Sequence, residues 1–173
     1  KGAGGDGGPA TAATLSAPTG MVVAADGTVY VADSGNNLVR AIAPDGTIRT
    51  VAGSLGSTTV GDALNLPINT PGGVTVDPQG RIVVGESVAN VIKRLEGGVL
   101  SVVAGAGKGD AGDGGPATEA LFSSIAGLCY YEGDLVVADP GNHRIRRIGA
   151  DGIIRPLVQP RDKLSKSPKG LTR

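Results

Sequence analysis

Three stretches of this chain are copies of one another. Val31-Ala32-Asp33-Ser34-Gly35-Asn36-Asn37-Leu38-Val39-Arg40 aligns with Val84-Gly85-Glu86-Ser87-Val88-Ala89-Asn90-Val91-Ile92-Lys93, and again with Val137-Ala138-Asp139-Pro140-Gly141-Asn142-His143-Arg144-Ile145-Arg146. Each step is 53 residues, so Asp33, Glu86 and Asp139 are equivalent, as are Arg40, Lys93 and Arg146. Repetition at this period points to a propeller or a solenoid, because one such unit cannot bury its own apolar face and must stack on its neighbours. It constrains function less: repeats build scaffolds readily and catalytic groups sparingly.

Each copy reads as four short strands. The first gives Met21 to Ala24, the turn Asp26-Gly27, Thr28 to Ala32, the loop Asp33 to Asn37, Leu38 to Ile42, the turn Pro44-Asp45-Gly46, and Thr47 to Val51. The second gives Val74 to Val76, Arg81 to Val84, Val91 to Leu95 and Val99 to Val103. The third gives Leu128 to Tyr130, Leu135 to Ala138, Arg144 to Ile148 and Ile153 to Val158. Short β-branched runs without a helical period favour strands. Gly27, Gly80 and Gly133 hold one turn in all three copies, where a positive φ is natural. Pro156 is compatible only with a sheet edge, which the outermost strand of a blade supplies.

Composition narrows the function classes. Thirty glycines and eleven prolines suit many turns, and 40% apolar content argues against disorder. Net charge is zero and the aromatic set is three Tyr and one Phe, so neither a basic field nor stacking platforms favour nucleic acid. A single cysteine excludes an internal disulfide framework. No apolar run is long enough to span a membrane as a helix. The chain opens on Lys1 within a Gly-rich, loop-like stretch, which reads as a fragment or a processed product.

The strings from Tyr30 to Arg40 and from Val137 to Arg146 resemble NHL repeats. That resemblance implies an all-β fold, a β-propeller of NHL type with four antiparallel strands per blade, of which about three blades are present. Gly5-Asp6-Gly7-Gly8-Pro9-Ala10-Thr11 recurs as Gly112-Asp113-Gly114-Gly115-Pro116-Ala117-Thr118, and the middle copy keeps only Gly61-Asp62-Ala63. This connector is similar to that of a long-repeat subgroup found in secreted bacterial proteins and in teneurin-like cell-surface propellers, which favours a place outside the cytoplasm. Blades are expected over residues 1–158 (5–53, 54–105 and 106–158), followed by a basic, Pro-containing tail or linker at 159–173. The middle copy departs from the pattern, with Glu86 for Asp and Val88-Ala89 for Gly-Asn, so its loop is expected to turn differently.

In a four-stranded meander, the loop between the second and third strands leaves on the same face as the connector to the next blade. Asp33, Asn36, Asn37, Glu86, Asn90, Asp113, Asp139, Asn142 and His143 therefore form a candidate binding rim. Asp33 and Asp139 also suit a structural role, accepting backbone N–H bonds in an Asx-type turn that aims the next strand. Arg40, Lys93 and Arg146 form a candidate basic stripe, either open to phosphate or paired with the three acids beside it.

Other motifs carry less. His143 and Cys129 stand alone, short of the three or four ligands zinc requires, and Cys129 reads as a small buried hydrophobe of an innermost strand. Ala104 to Asp110 lacks the leading Gly, the Ser or Thr after the Lys, and the helix of a phosphate loop. Each Gly-Asp-Gly-Gly connector offers one acid, too few for calcium.

No cofactor is assigned. The leading reading is a non-enzymatic scaffold that presents its loop rim to another protein or a glycan. A lactonase or lyase with metal ligands in blades outside this chain is one alternative, and RNA binding through the basic stripe another. Three blades alone would expose two apolar sheet faces, so further blades of a parent chain or a second copy are expected against them.

Overall fold

The computed structural model describes residues 2–53 and 66–158. Among them, β1 (Pro18–Val23), β2 (Val29–Asp33), β3 (Leu38–Ile42) and β4 (Ile48–Ala52) make the first sheet. The second holds β5 (Pro71–Val76), β6 (Ile82–Glu86), β7 (Val91–Glu96) and β8 (Val99–Ala104). The third holds β9 (Gly127–Tyr131), β10 (Asp134–Asp139), β11 (Arg144–Ile148) and β12 (Ile154–Val158). Each is a meander with its strands paired in chain order, and every pair is antiparallel. The middle part of the second connector, including Gly61-Asp62-Ala63, and the 159–173 segment lie outside the described residues.

The repeat fixes the register as well as the strands. Asp33 pairs with Leu38, Glu86 with Val91 and Asp139 with Arg144, so the same hairpin closes at the same place in each blade. A bulge follows in each third strand, between Val39 and Arg40, Ile92 and Lys93, and Ile145 and Arg146. It sits beside the basic residue each time. The turns at Gly27, Gly80 and Gly133 have φ of 85°, 80° and 87°, a region that L side chains rarely enter. Pro156 lies on β12, the outermost strand of its sheet, where its missing N–H leaves no ladder bond unmade.

The blades pack face to face as an arc, with β1, β5 and β9 innermost. A Cβ at Gly20 would stand 3.1 Å from the Gly73 Cα, and one at Gly73 would stand 3.1 Å from the Gly127 Cα. Glycine at these positions lets successive inner strands meet backbone to backbone. One core joins blades 1 and 2 through Ala32, Val39, Val74 and Val84. Another joins blades 2 and 3 through Val83, Ile92, Leu135 and Val137, with Ala117, Ala120 and Phe122 of the third connector wedged in.

The ends of the arc are open. Ile145 and Val158 pair across β11 and β12 as Ile92 and Ala104 pair across β7 and β8. Ile92 and Ala104 are 0% exposed, whereas Ile145 and Val158 are 37% and 53% exposed. Met21 is exposed at the first blade, where its equivalent Val74 is buried.

Cys129 is exposed, contrary to the expectation of a buried hydrophobe. It pairs with Val136, the equivalent of Val83, and so lies on the side of blade 3 that no blade covers. No helix among the described residues is long and apolar enough to cross a membrane.

Candidate functional site

The first and third connectors are folded onto the blades they precede. Gly7 N–H donates to Ile48 O (2.8 Å), Ile48 N–H to Gly8 O (3.0 Å) and Ala10 N–H to Gly46 O (2.8 Å). The third connector repeats this on β12: Gly114 N–H to Ile154 O (2.8 Å), Ile154 N–H to Gly115 O (3.0 Å) and Ala117 N–H to Gly152 O (2.9 Å). The Gly-Asp-Gly-Gly-Pro-Ala-Thr string is thus an edge cover for the outermost strand. Short 3₁₀ turns at Ala10–Ala12 and Ala117–Glu119 follow, which the strand pattern did not reveal.

This docking brings the connector acid to the third-strand arginine. Arg40 pairs with Asp6 at 2.5 Å and with Asp33 at 3.5 Å, and the Arg40 and Asp33 side chains are fully buried. Arg146 pairs with Asp113 at 2.8 Å and with Asp139 at 3.7 Å, again with Arg146 and Asp139 fully buried. Arg146 also donates to Leu121 O (2.7 Å) and Ala111 O (3.0 Å), and its guanidinium lies 4.8 Å from the centre of the Phe122 ring. In the middle blade Lys93 reaches Glu86 at 2.6 Å. A longer acid with a shorter base keeps the pair. Burial works against the Asp6 charge, but hydrogen bonds from Thr50 and then Arg40 outweigh it and hold the carboxyl below the usual range.

The three acids do not form the local Asx turn expected for two of them. Asp33 Oδ1 accepts the Ser16 N–H, Asp139 Oδ1 the Ser123 N–H (both 2.7 Å) and Glu86 Oε2 the Asn69 N–H (3.0 Å), so each ties down the segment entering its own blade. Asx turns stand elsewhere, at Asp26, Asp45, Asp77 and Asp151, each accepting the N–H two residues on. Asn36 and Asn142 brace the first and third loops, donating to Asp33 (2.7 Å) and Asp139 (2.8 Å) and to the connector carbonyls of Gly2 and Gly109.

Asn37, Asn90 and His143 share the left-handed conformation, with φ of 58°, 57° and 55°. The two asparagines bridge blades: Asn37 Oδ1 accepts the Thr70 N–H (2.9 Å) and Asn90 Oδ1 the Ser124 N–H (2.7 Å). Ser34 Oγ donates to Pro71 O and Ser87 Oγ to Ile125 O across the same junctions. Blade 3 carries Pro140 and His143 at these two places. His143 is exposed at the open end of the arc.

The middle loop differs, as its sequence implies. Residues 87–90 form a turn closed by Asn90 N–H to Glu86 O (2.9 Å), in place of the 3₁₀ turns Ser34–Asn36 and Pro140–Asn142. Gly35 and Gly141 press against Ser16 and Ser123 with no room for a Cβ, whereas their equivalent Val88 stands 68% exposed on the rim.

Two groups of candidate residues are thus separated. Asp33, Glu86, Asp139, Arg40 and Arg146 are buried, with Lys93 engaged beside them, so the basic stripe offers no open face to phosphate. Asn37, Val88, Asp113 and His143 remain at the surface. Among the described residues, no group of three or more His, Cys, Asp or Glu is placed to hold a metal.

Residues 1–66 match the family model described as the teneurin NHL domain. No curated protein matches the chain. Among solved structures, a virginiamycin B lyase from Staphylococcus aureus with quinupristin is 20% identical, with 83% of this chain and 42% of that one covered and a TM-score of 0.58. The nidogen/laminin complex matches at 18% identity, covering 85% and 50%, with a TM-score of 0.62. A gluconolactonase from Xanthomonas campestris matches at 17%, covering 85% and 48%, with a TM-score of 0.64. The chain spans half or less of the length of these structures. They show the fold, a β-propeller, of which the described residues form three four-stranded blades.

Proposed function

We propose that residues 1–158 act as a non-enzymatic scaffold outside the cytoplasm that binds another protein, or a glycan, through the connector rim, with the basic 159–173 segment outside the propeller. The observation that carries this reading is the bracing of the rim. Buried ion pairs and asparagine hydrogen bonds hold the loops still, while Val88 projects from the middle loop with most of its surface in water. A rigid loop set with one apolar knob binds at a low ordering cost, which is one of the costs association must offset. The teneurin NHL match and the likeness to nidogen, a protein solved in complex with laminin, support the same reading. The open apolar faces at Met21 and at Ile145 with Val158 suit further blades of the same kind, from a parent chain or a second copy.

The lactonase or lyase reading would need ligands beyond the described residues, and RNA binding would need arginines that are here buried in ion pairs. The scaffold reading is tested by screening the protein against arrays of extracellular proteins and of glycans, then repeating each hit with Val88→Asp and with Gln79→Ala on the opposite face. Loss of binding with Val88→Asp alone is expected. Hits that survive Val88→Asp and vanish with Gln79→Ala would move the binding surface off the rim.

A further inference from the structure

A cavity lies on the face opposite the connectors. It opens between blades 2 and 3 among the hairpin turns, with a volume of about 340 Å3, at the small end of the range that holds ligands. Val103, Leu135 and Ile148 give it apolar lining, and Arg81, Arg94 and Tyr130 supply polar groups.

The repeat shows that the blade does not require these polar residues. One repeat earlier, Ala24, Thr28 and Ala41 stand where Asp77, Arg81 and Arg94 stand, and Val76 occupies the place of Tyr130. Small or apolar residues suffice at the junction of blades 1 and 2. The junction of blades 2 and 3 has acquired two guanidiniums, a carboxylate and a phenol.

The two arginines are not alike. Arg81 is fully engaged, with Nε on Asp77 (2.7 Å), Nη1 on Glu96 (3.0 Å) and Nη2 on Gln79 (3.0 Å). Arg94 makes no hydrogen bond among the described residues: its Nη2 lies 3.8 Å from Glu96, and its buried Nε has no acceptor. The Arg94 side chain lines the cavity and is 31% exposed, so its Nη groups can meet a planar two-oxygen partner. Burial, then the Asp77 carboxylate, raises the Tyr130 phenol above its ordinary range, so it stays a protonated donor.

We propose that this junction binds a small monocarboxylate with an apolar body, its two oxygens on the Arg94 fork and its body against Val103, Leu135 and Ile148. Arg94 has one long ion-pair contact, 3.8 Å to Glu96, and no hydrogen bond among the described residues, so its donors suit a monoanion. A phosphate dianion would meet the carboxylates of Asp77 and Glu96 at short range, and an alcohol would leave the fork half used.

The test is calorimetric titration of the full chain with hexanoate, hexanol and inorganic phosphate, repeated on Arg94→Ala, Tyr130→Phe and Arg147→Ala. Arg147 is the equivalent of Arg94 one repeat later and lies outside the cavity. Hexanoate is expected to saturate, with hexanol and phosphate much weaker. Arg94→Ala should weaken hexanoate about tenfold or more, as loss of a charge-assisted pair does, and Arg147→Ala should leave it unchanged. Tyr130→Phe keeps the ring and should weaken binding severalfold, about the worth of one hydrogen bond. Failure of hexanoate to saturate, equal affinity in Arg94→Ala, or preference for phosphate would each overturn the assignment.

Discussion

Arg146 and Asp113 lie 33 residues apart in the chain and 2.8 Å apart in the fold, one on the third strand of its blade and the other on the connector that precedes that blade. The pair joins the edge cover to the sheet interior. Arg146 is fully buried, and behind it stands Asp139, also fully buried. Removing the arginine would leave a buried carboxylate without its counter-charge. Arg146→Ala is therefore expected to destabilise the fold by about 3–5 kcal/mol. Asp113→Ala leaves Arg146 with Asp139 and with the Leu121 and Ala111 carbonyls, so it should cost less, about 1–3 kcal/mol. Urea unfolding of both variants measures the difference. Hydrogen exchange at Gly114 and Ala117 should accelerate in Asp113→Ala, because those amides hold the connector on β12 and on the turn before it.

The turn at Gly133 and the loop at His143 both carry positive φ, at 87° and 55°. Histidine tolerates the left-handed region, where asparagine stands in the other two copies, whereas a β-branched residue does not. Gly133→Val is expected to cost about 2 kcal/mol, the scale of a residue forced into a sparsely populated conformation. His143 makes no side-chain hydrogen bond among the described residues, so His143→Ala should shift stability by about 1 kcal/mol at most. Thermal melts of the two variants in parallel check the order.

The strands were legible in the sequence because two local signals coincide: β-branched runs of strand length and glycines at one turn position. The third strands Leu38–Ile42 and Arg144–Ile148 match the sequence reading residue for residue. The rim was harder to read. Asp33 and Asp139 look like local turn acids, but the N–H groups they accept come from Ser16 and Ser123, 17 and 16 residues earlier. Such partners leave no local pattern. One signal was present: Asp6 and Asp113 recur ahead of Arg40 and Arg146 at nearly constant spacing, as residues that meet in each copy should. Cys129 was misread because strand alternation assigns it to a face without saying whether a blade covers that face.

Asp151 and Arg155 form an exposed pair at 2.7 Å, in which Asp151 also accepts the Ile153 N–H. The Arg155 hydrogen bond, then that backbone bond, lowers the Asp151 carboxyl to about 2. Its folded-state value thus lies below the unfolded one of about 3.9. The stabilisation is complete above the unfolded value and is lost as pH falls toward 2. Because the group is exposed, the effect belongs in a carboxyl NMR titration rather than a melt. Asp151 should titrate well below the ordinary carboxyl range, and Arg155→Ala should bring it back toward that range.

Asn90 joins blade 2 to blade 3. Its side chain is buried, its backbone is left-handed, and its Oδ1 accepts the Ser124 N–H at 2.7 Å. Asn90→Ala removes the acceptor while leaving the Ser124 N–H at the junction, so a loss of about 1–3 kcal/mol is expected. Asn90→Asp keeps an oxygen at the same place and should retain much of the bond. Asn90→Gly relaxes the left-handed backbone but removes the acceptor, which separates conformation from bridging. If the bridge matters more, Gly and Ala will both expose the Ser124 amide to exchange and Asp will protect it. If conformation matters more, Gly will match the native protein and Ala alone will fall. The bridging geometry predicts the first outcome, and hydrogen exchange at Ser124 in the three variants distinguishes them.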